Sequence, residues 1–192
     1  MIKKLAFVTT NTGKFAEVKR WLNQFEPSIE LEHVALDLPE IQSLDVQEIA
    51  LDKAQQAWKI LQKPLLIDDG GIYLEKYYNF PGPLTKYVYK GIGFEGFWKL
   101  ASDDPHAYFL SCLVYSDGPT SFHIFEGICK GHIVEPKDVI ITHTQLPFTH
   151  IFVPQGYDKV FAELKLTPLE EQFNHRTIAI KKLVTWLKEN NR

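Results

Sequence analysis

Sulfur is scarce in this chain: 192 residues contain two cysteines, Cys112 and Cys129, and one methionine. Both cysteines lie inside apolar stretches at no metal-ligand spacing, which favours buried reduced thiols over a disulfide framework. His143, His150 and His175 show no zinc spacing either. No apolar run reaches the ~18 residues of a membrane span. The N-terminus carries Lys3 and Lys4 but no long apolar core or small-residue cleavage site. A cytoplasmic protein without membrane contact is expected. Positive charge is not in excess, with 21 Lys and Arg against 24 Asp and Glu and a net charge of -3. That balance argues against a protein that coats nucleic acid, while a free nucleotide needs only a few local cations. A Walker loop is excluded, because around Lys14 its first Gly position is Val8 and its Ser/Thr position is Phe15. A Gly-x-Ser-x-Gly elbow is missing as well. With no internal repeat, low-complexity segment or linker, residues 1–192 read as one domain.

What is present begins with Thr9-Thr10-Asn11-Thr12-Gly13-Lys14, which lies between the apolar run Leu5-Ala6-Phe7-Val8 and a helical pattern of Phe15, Val18, Leu22 and Phe25. A strand, a tight polar turn and a helix presents backbone N–H groups and the positive end of a dipole, with Lys14 adding a full charge. Such a turn suits phosphate, although Thr, Asn and Gly also make an ordinary loop and cap. Residues 30–36 alternate as a second strand. A helix is expected over 45–61, with Asp45-x-x-Glu48 as a capping box and Lys53 beside its apolar stripe. A third strand, Leu65-Leu66-Ile67, delivers Asp68 and Asp69 to its carboxyl end, where α/β proteins bind ligands. Adjacent residues on an extended chain face opposite ways, so one carboxylate can meet a cleft while the scaffold holds the other. Gly70-Gly71 is expected to turn the backbone sharply.

Phe80-Pro81-Gly82-Pro83 reads as a rigid turn, followed by short helices over 86–89 and 94–100. Residues 108–115 and 121–128 read as a hairpin around Ser116-Asp117-Gly118-Pro119, with Gly127 marking a bulge or a close backbone approach and Ile133-Val134 starting a further strand. This hairpin is expected to form a β-rich second lobe over roughly 105–140. Another strand is expected from Val139, leading to His143-Thr144-Gln145-Leu146-Pro147-Phe148. The last helix has Thr167 as N-cap, Pro168 at its first position and Glu170 completing a capping box, with Phe173, Ile180, Leu183, Val184 and Leu187 buried. His175 and Arg176 fall inside it, at the edge of its buried face.

Taken in order, the motifs are Thr-x-Asn-x-x-Lys after the first strand, Leu-Pro-Glu ending at Glu40, Asp-Asp-Gly-Gly, Phe-Pro-Gly-Pro before Lys86, Phe125-Glu126-Gly127, and Asn174-His175-Arg176. Together they resemble the inosine triphosphate pyrophosphatase (Ham1/RdgB-like) family over essentially the whole chain. The resemblance implies an α/β fold with an elongated central mixed sheet flanked by helices, two lobes with a cleft between them, and a homodimer. It implies Mg2+-dependent hydrolysis of deaminated or otherwise aberrant purine nucleoside triphosphates to monophosphate and pyrophosphate. Thr9, Asn11 and Lys14 would then hold phosphates, Lys53 and Lys86 would neutralise them, and Gly70 would line the site. Glu40 and Asp69 would place the metal. Asp69 is the family's candidate base, with Asp68 open as an alternative because a metal-bound carboxylate has a lowered proton affinity. Phe148, His175 and Arg176 would approach the base. A catalytically silent nucleotide-binding protein on the same fold is the alternative.

Departures from the family pattern cluster, on this reading, at the base end. Leu146-Pro147-Phe148-Thr149 stands where the family has Phe-Gly-Tyr-Asp or Phe-Gly-Trp-Asp. Glu170 and Asn174 stand where it has Lys and Ser. An anion in place of a cation near the base, and an amide in place of a hydroxyl, imply an altered base preference.

Overall fold

Strand β1 (Lys4–Val8) buries Leu5, Ala6, Phe7 and Val8 alike, the pattern of a strand covered by helices on both sides. The computed structural model describes residues 4–137 and 146–190. In it the turn after β1 starts helix α1 (Thr12–Phe25), and β2 (Glu30–Val34) returns parallel to β1. Helix α2 (Val46–Leu61) starts at Asp45, whose carboxylate accepts a hydrogen bond from the Gln47 N–H. Glu48 does not complete a capping box there but accepts from the Ser43 hydroxyl.

Strand β3 (Leu65–Leu74) pairs parallel with β1 through its first residues. It does not turn at Asp68-Asp69-Gly70-Gly71 as expected but runs straight through them. The two glycines serve close approach. A Cβ at Gly70 would collide with the Leu110 carbonyl, and one at Gly71 with the Gly82 carbonyl. β4 (Phe80–Gly82) therefore lies against the end of β3, where the sequence suggests only a turn. The turn follows, with the Leu84 N–H donating to the Pro81 carbonyl at 3.0 Å. Helix α3 (Thr85–Ala101) joins the two expected short helices across Gly93, whose φ of 62° breaks the helical path between them.

Strands β5 (His106–Gly118) and β6 (Ser121–Ile133) form the expected hairpin, and β7 (Phe152–Pro154) completes a seven-stranded mixed sheet in the order β2-β1-β3-β5-β6-β7, with β4 beside β3. Ile133 ends β6 rather than opening a new strand. The hairpin runs the length of the sheet. Near its turn, Leu113, Tyr115 and Phe125 pack with α1, while its open end joins Phe97, Phe152 and Phe161. The strand expected from Val139 begins outside the described residues, whereas Pro147–His150 form one 3-10 turn.

Two short helices, α4 (Phe161–Leu164) and α5 (Glu170–Phe173), precede α6 (His175–Glu189). The single helix expected from Thr167 is thus broken at Asn174, which has an extended backbone (φ -62°, ψ 121°) and caps α6 with its own side chain. Thr167 accepts from the Leu169 N–H within the preceding turn, but it is not the cap of the short first piece, which starts from Leu169 without a side-chain cap. Helices α1 and α6 cover one face of the sheet around Phe7, Leu66 and Leu113. Helix α2 covers the other, bringing Ala50, Ala54 and Ala57 against Ala6, Ile67 and Val114. A third apolar cluster, around Ile72, Phe97 and Phe109, lies farther along β3 and β5. Asp68, Asp69 and Gly70 sit between these cores.

Candidate active site

A cleft of about 670 Å3 opens over this part of β3. Its lining brings together all the sequence-predicted site residues: Thr9, Asn11, Lys14, Glu40, Lys53, Asp68, Asp69, Gly70, Lys86, Phe148, His175 and Arg176. Residues separated by up to most of the chain meet because β1 and β3 are adjacent and α6 returns across the sheet.

The turn after β1 is built by its own side chains. The Thr9 hydroxyl accepts from the Asn11 N–H at 3.1 Å, and the Asn11 side chain caps α1 by accepting from the Lys14 N–H at 2.9 Å. The Lys14 ammonium reaches across to β3, 3.0 Å from the Asp68 carbonyl oxygen and 3.2 Å from its carboxylate.

Strand alternation gives the two aspartates different surroundings. The Asp68 side chain has no exposed surface and is held by the Lys14 ammonium, by Arg176 Nε at 2.9 Å and by the Ser111 hydroxyl at 2.5 Å. Burial alone raises a carboxyl pKa, but here Lys14 and Arg176 outweigh it and hold Asp68 well below the usual carboxylate range. A carboxylate so satisfied and so weakly basic is an anchor. Asp69 faces α2. One of its oxygens accepts from the Gly70 N–H at 2.8 Å, and the other meets the Lys53 ammonium at 2.5 Å. Lys53 simultaneously contacts Glu40. It is therefore no snorkelling surface lysine: Asp69 and Glu40 offset its burial and raise its pKa. Two carboxylates, one from β3 and one from the segment after β2, thus converge on one cation-sized position.

Lys86 is exposed at the first turn of α3, on the cleft wall. At the far end, Phe148 is 3% exposed, with its ring edge-on to Tyr89 and Phe94 and 4.5 Å from Phe97. Its ring is largely covered by its neighbours. The exposed aromatic ring of the lining is Tyr87, 60% exposed, which the sequence reading passed over. Thr149 turns its hydroxyl inward to the Leu146 carbonyl at 2.8 Å.

His175 and Arg176 open α6 instead of lying inside a longer helix. The His175 ring stacks on Phe109 at 5.1 Å, and burial followed by the Arg176 charge pushes its pKa down to about 3. It is a neutral imidazole whose Nδ1 has no partner among the described residues. Arg176 is engaged by Asp68 and, at 3.7 Å, by Glu17. Glu170 differs most from expectation. It is wholly buried, does not line the cleft and receives Arg20 Nη2 at 2.8 Å on both oxygens. The reading of Glu170 as an anion over the base is therefore overturned, because its carboxylate completes a network behind α6.

Glu17 and Arg20 were not singled out in the sequence, although a signal was there. Glu17 sits one residue before Val18 and four before Trp21, on the face α1 buries, where a carboxylate requires partners. It finds Lys165 at 3.1 Å, Arg176 and Asn174, and these outweigh its burial and lower its pKa to about 2.

Comparison with known proteins places this architecture. The model of the Ham1 family matches residues 5–186. The chain is 36% identical over 191 residues to the dITP/XTP pyrophosphatase of Thermococcus kodakarensis, covering 97% of this chain and 98% of that protein. It is 37% identical over 186 residues to the dITP/XTP pyrophosphatase of Saccharolobus solfataricus, covering 96% and 93%. Among solved structures, the Staphylococcus aureus Ham1 protein superposes with a TM-score of 0.76 at 22% identity over 98% of this chain and 100% of that one. A HAM1 protein from Coxiella burnetii gives the same TM-score at 21% identity. The mixed sheet with flanking helices is the fold these structures share, and the sequence matches extend along nearly the whole chain: it belongs to the Ham1 family.

Proposed function

We propose that this protein is a pyrophosphatase of deaminated or otherwise aberrant purine nucleoside triphosphates, of the dITP and XTP type, releasing monophosphate and pyrophosphate. The observation that carries the reading is the meeting, in one cleft, of the Thr9-to-Lys14 turn with the Glu40 and Asp69 carboxylates that flank the Lys53 ammonium. The names of the relatives point to the same substrates.

The donor set fits Mg2+. Among the described residues no three His, Cys, Asp or Glu side chains form a metal-holding group, and Mg2+ characteristically takes one or two protein carboxylates and fills its octahedron with water and phosphate oxygens. Glu40 and Asp69 would hold it, and bound there it would neutralise phosphate oxygens and polarise the phosphorus under attack. Lys14, Lys53 and Lys86 supply fixed positive charge for the triphosphate and the leaving pyrophosphate. Thr9 and Asn11 shape the turn that receives the phosphates, and Gly70 keeps the floor of the cleft free of a side chain. Asp69, the carboxylate on the open side of β3, is the group placed to orient an attacking water. Asp68 holds Lys14 and Arg176 in place and takes no proton. His175, Arg176 and Phe148 form the base end, where the ring of Phe148 is largely covered and the Thr149 hydroxyl is turned inward to the Leu146 carbonyl.

The same reading takes residues 1–192 as one functional unit, acting in the cytoplasm as a homodimer on free nucleotides, without nucleic acid or membrane as partner. The test is a pyrophosphate-release screen over common and deaminated triphosphates, with and without Mg2+. Metal-dependent pyrophosphate release from dITP or XTP is expected. Nucleotide binding without turnover, or release of orthophosphate, would overturn the assignment.

A further inference from the structure

The polar network behind α6 is larger than a helix cap requires. The Asn174 side-chain oxygen accepts from the Arg176 N–H at 2.8 Å and the Thr177 N–H at 3.3 Å, while its Nδ2 donates to Glu17 Oε1 and Glu170 Oε1, both at 2.8 Å. All four hydrogen-bonding positions of the amide are therefore used, and its orientation is fixed, because a flipped amide would point oxygen at two carboxylates. Glu170 is in turn held by Arg20 and accepts from the Leu166 N–H at 2.7 Å. The first turn of α6 also has no room to slide. A Cβ added at Gly127 on β6 would strike the His175 carbonyl and the Ala179 nitrogen.

We infer that Glu170, clamped by Arg20 and acting through Asn174, is a positioning residue that fixes His175 at the base end of the cleft. Arg176 is already engaged by Asp68 and Glu17, whereas His175 lines the cleft with a ring that makes no side-chain hydrogen bond through Nδ1 among the described residues. Its ring lies between Phe109 and Phe161. Its backbone starts directly from the Asn174 cap. Displacing that cap moves the imidazole relative to the base, while the Thr9-to-Lys14 turn keeps the bonds that Thr9 and Asn11 make within it. Small misplacements of this kind cost affinity and rate out of proportion to their size. The inference rests on the nucleotide reading of the cleft, but not on turnover.

Calorimetric titration without added metal separates the two ends, using dITP as the full ligand and tripolyphosphate as a ligand with no base. Wild-type protein is expected to bind dITP more tightly than tripolyphosphate. Glu170→Gln, which keeps the shape and removes the charge, should cut that advantage by roughly tenfold, with tripolyphosphate affinity unchanged within about twofold. Arg20→Gln, which removes the clamp from its other end, should act in the same direction, with the folding of both variants checked by melting temperature. Unchanged discrimination in both variants would overturn the inference. So would parallel losses for the two ligands, which mark general loosening, or a wild-type protein that gains nothing from the base. A protein that binds dITP with the expected discrimination but releases no pyrophosphate would contradict the proposed enzyme activity and leave the positioning role standing.

Discussion

The two faces of β3 treat identical side chains in opposite ways. Toward α1 and α6, Asp68 is closed in by Lys14, Arg176 and Ser111, with every partner supplied by the chain itself. Toward α2, Asp69 and Glu40 share one ammonium, and the Lys53 side chain retains 18% exposure. One face stores its charge in a finished network, whereas the other holds a pair of anions around one partly exposed cation. A strand's two-residue period is enough to separate an enclosed carboxylate from one that faces the cleft's Lys53.

The sharpest way to break this contrast is to neutralise the closed side. Asp68→Asn leaves Lys14 and Arg176 without their shared anion, and removing one partner of a buried ion pair costs about 3–5 kcal/mol. A large fall in melting temperature is expected, read by circular dichroism; a variant as stable as wild type would show that the closed face is not the anchor.

Acid titration probes the same side more gently. His175 has an ordinary pKa near 6.5 and is pushed down to about 3 in the folded chain. Between those values the unfolded chain binds a proton that the folded chain refuses. Stability is therefore complete above pH 6.5 and falls as the pH drops through the window, by about 1.4 kcal/mol per unit for one proton. Glu17, lowered from 4.5 to about 2, adds its own loss only below pH 4.5. Urea unfolding of His175→Phe at pH 6.5 and 4.5 should lack the slope that wild type shows; equal slopes would mean that His175 is not buried as a neutral ring.

The smallest effect belongs to the open face. Lys53→Met removes the ammonium that Glu40 and Asp69 hold, so the two carboxylates should bind Mg2+ several-fold more tightly in calorimetry even though triphosphate turnover falls. Weaker Mg2+ binding would place the metal elsewhere.

Much of this arrangement was legible in the chain because it is local. The turn at Asn11, the start of α2 at Asp45 and the hairpin all follow from neighbouring residues. Asp68-Asp69-Gly70-Gly71 misled because paired glycines serve sharp turns and close strand contacts equally well, and only the positions of β4 and β5 decide between them. The cap expected at Thr167 falls in a turn, because the helix is interrupted at Asn174, whose side chain caps α6 and bonds Glu17, 157 residues away in sequence. Glu170 was read against the base for the same reason. Its partner Arg20 lies 150 residues distant, beyond what spacing reveals.

The division of labour on β3 is tested most directly by pyrophosphate release from dITP with Mg2+ in Asp69→Asn, with folding verified by its melting temperature. Release should fall by roughly a hundredfold or more while the protein melts close to wild type, since Lys53 keeps Glu40 as a partner. Turnover near the wild-type rate in the folded variant would contradict the assignment of the chemistry to the open face.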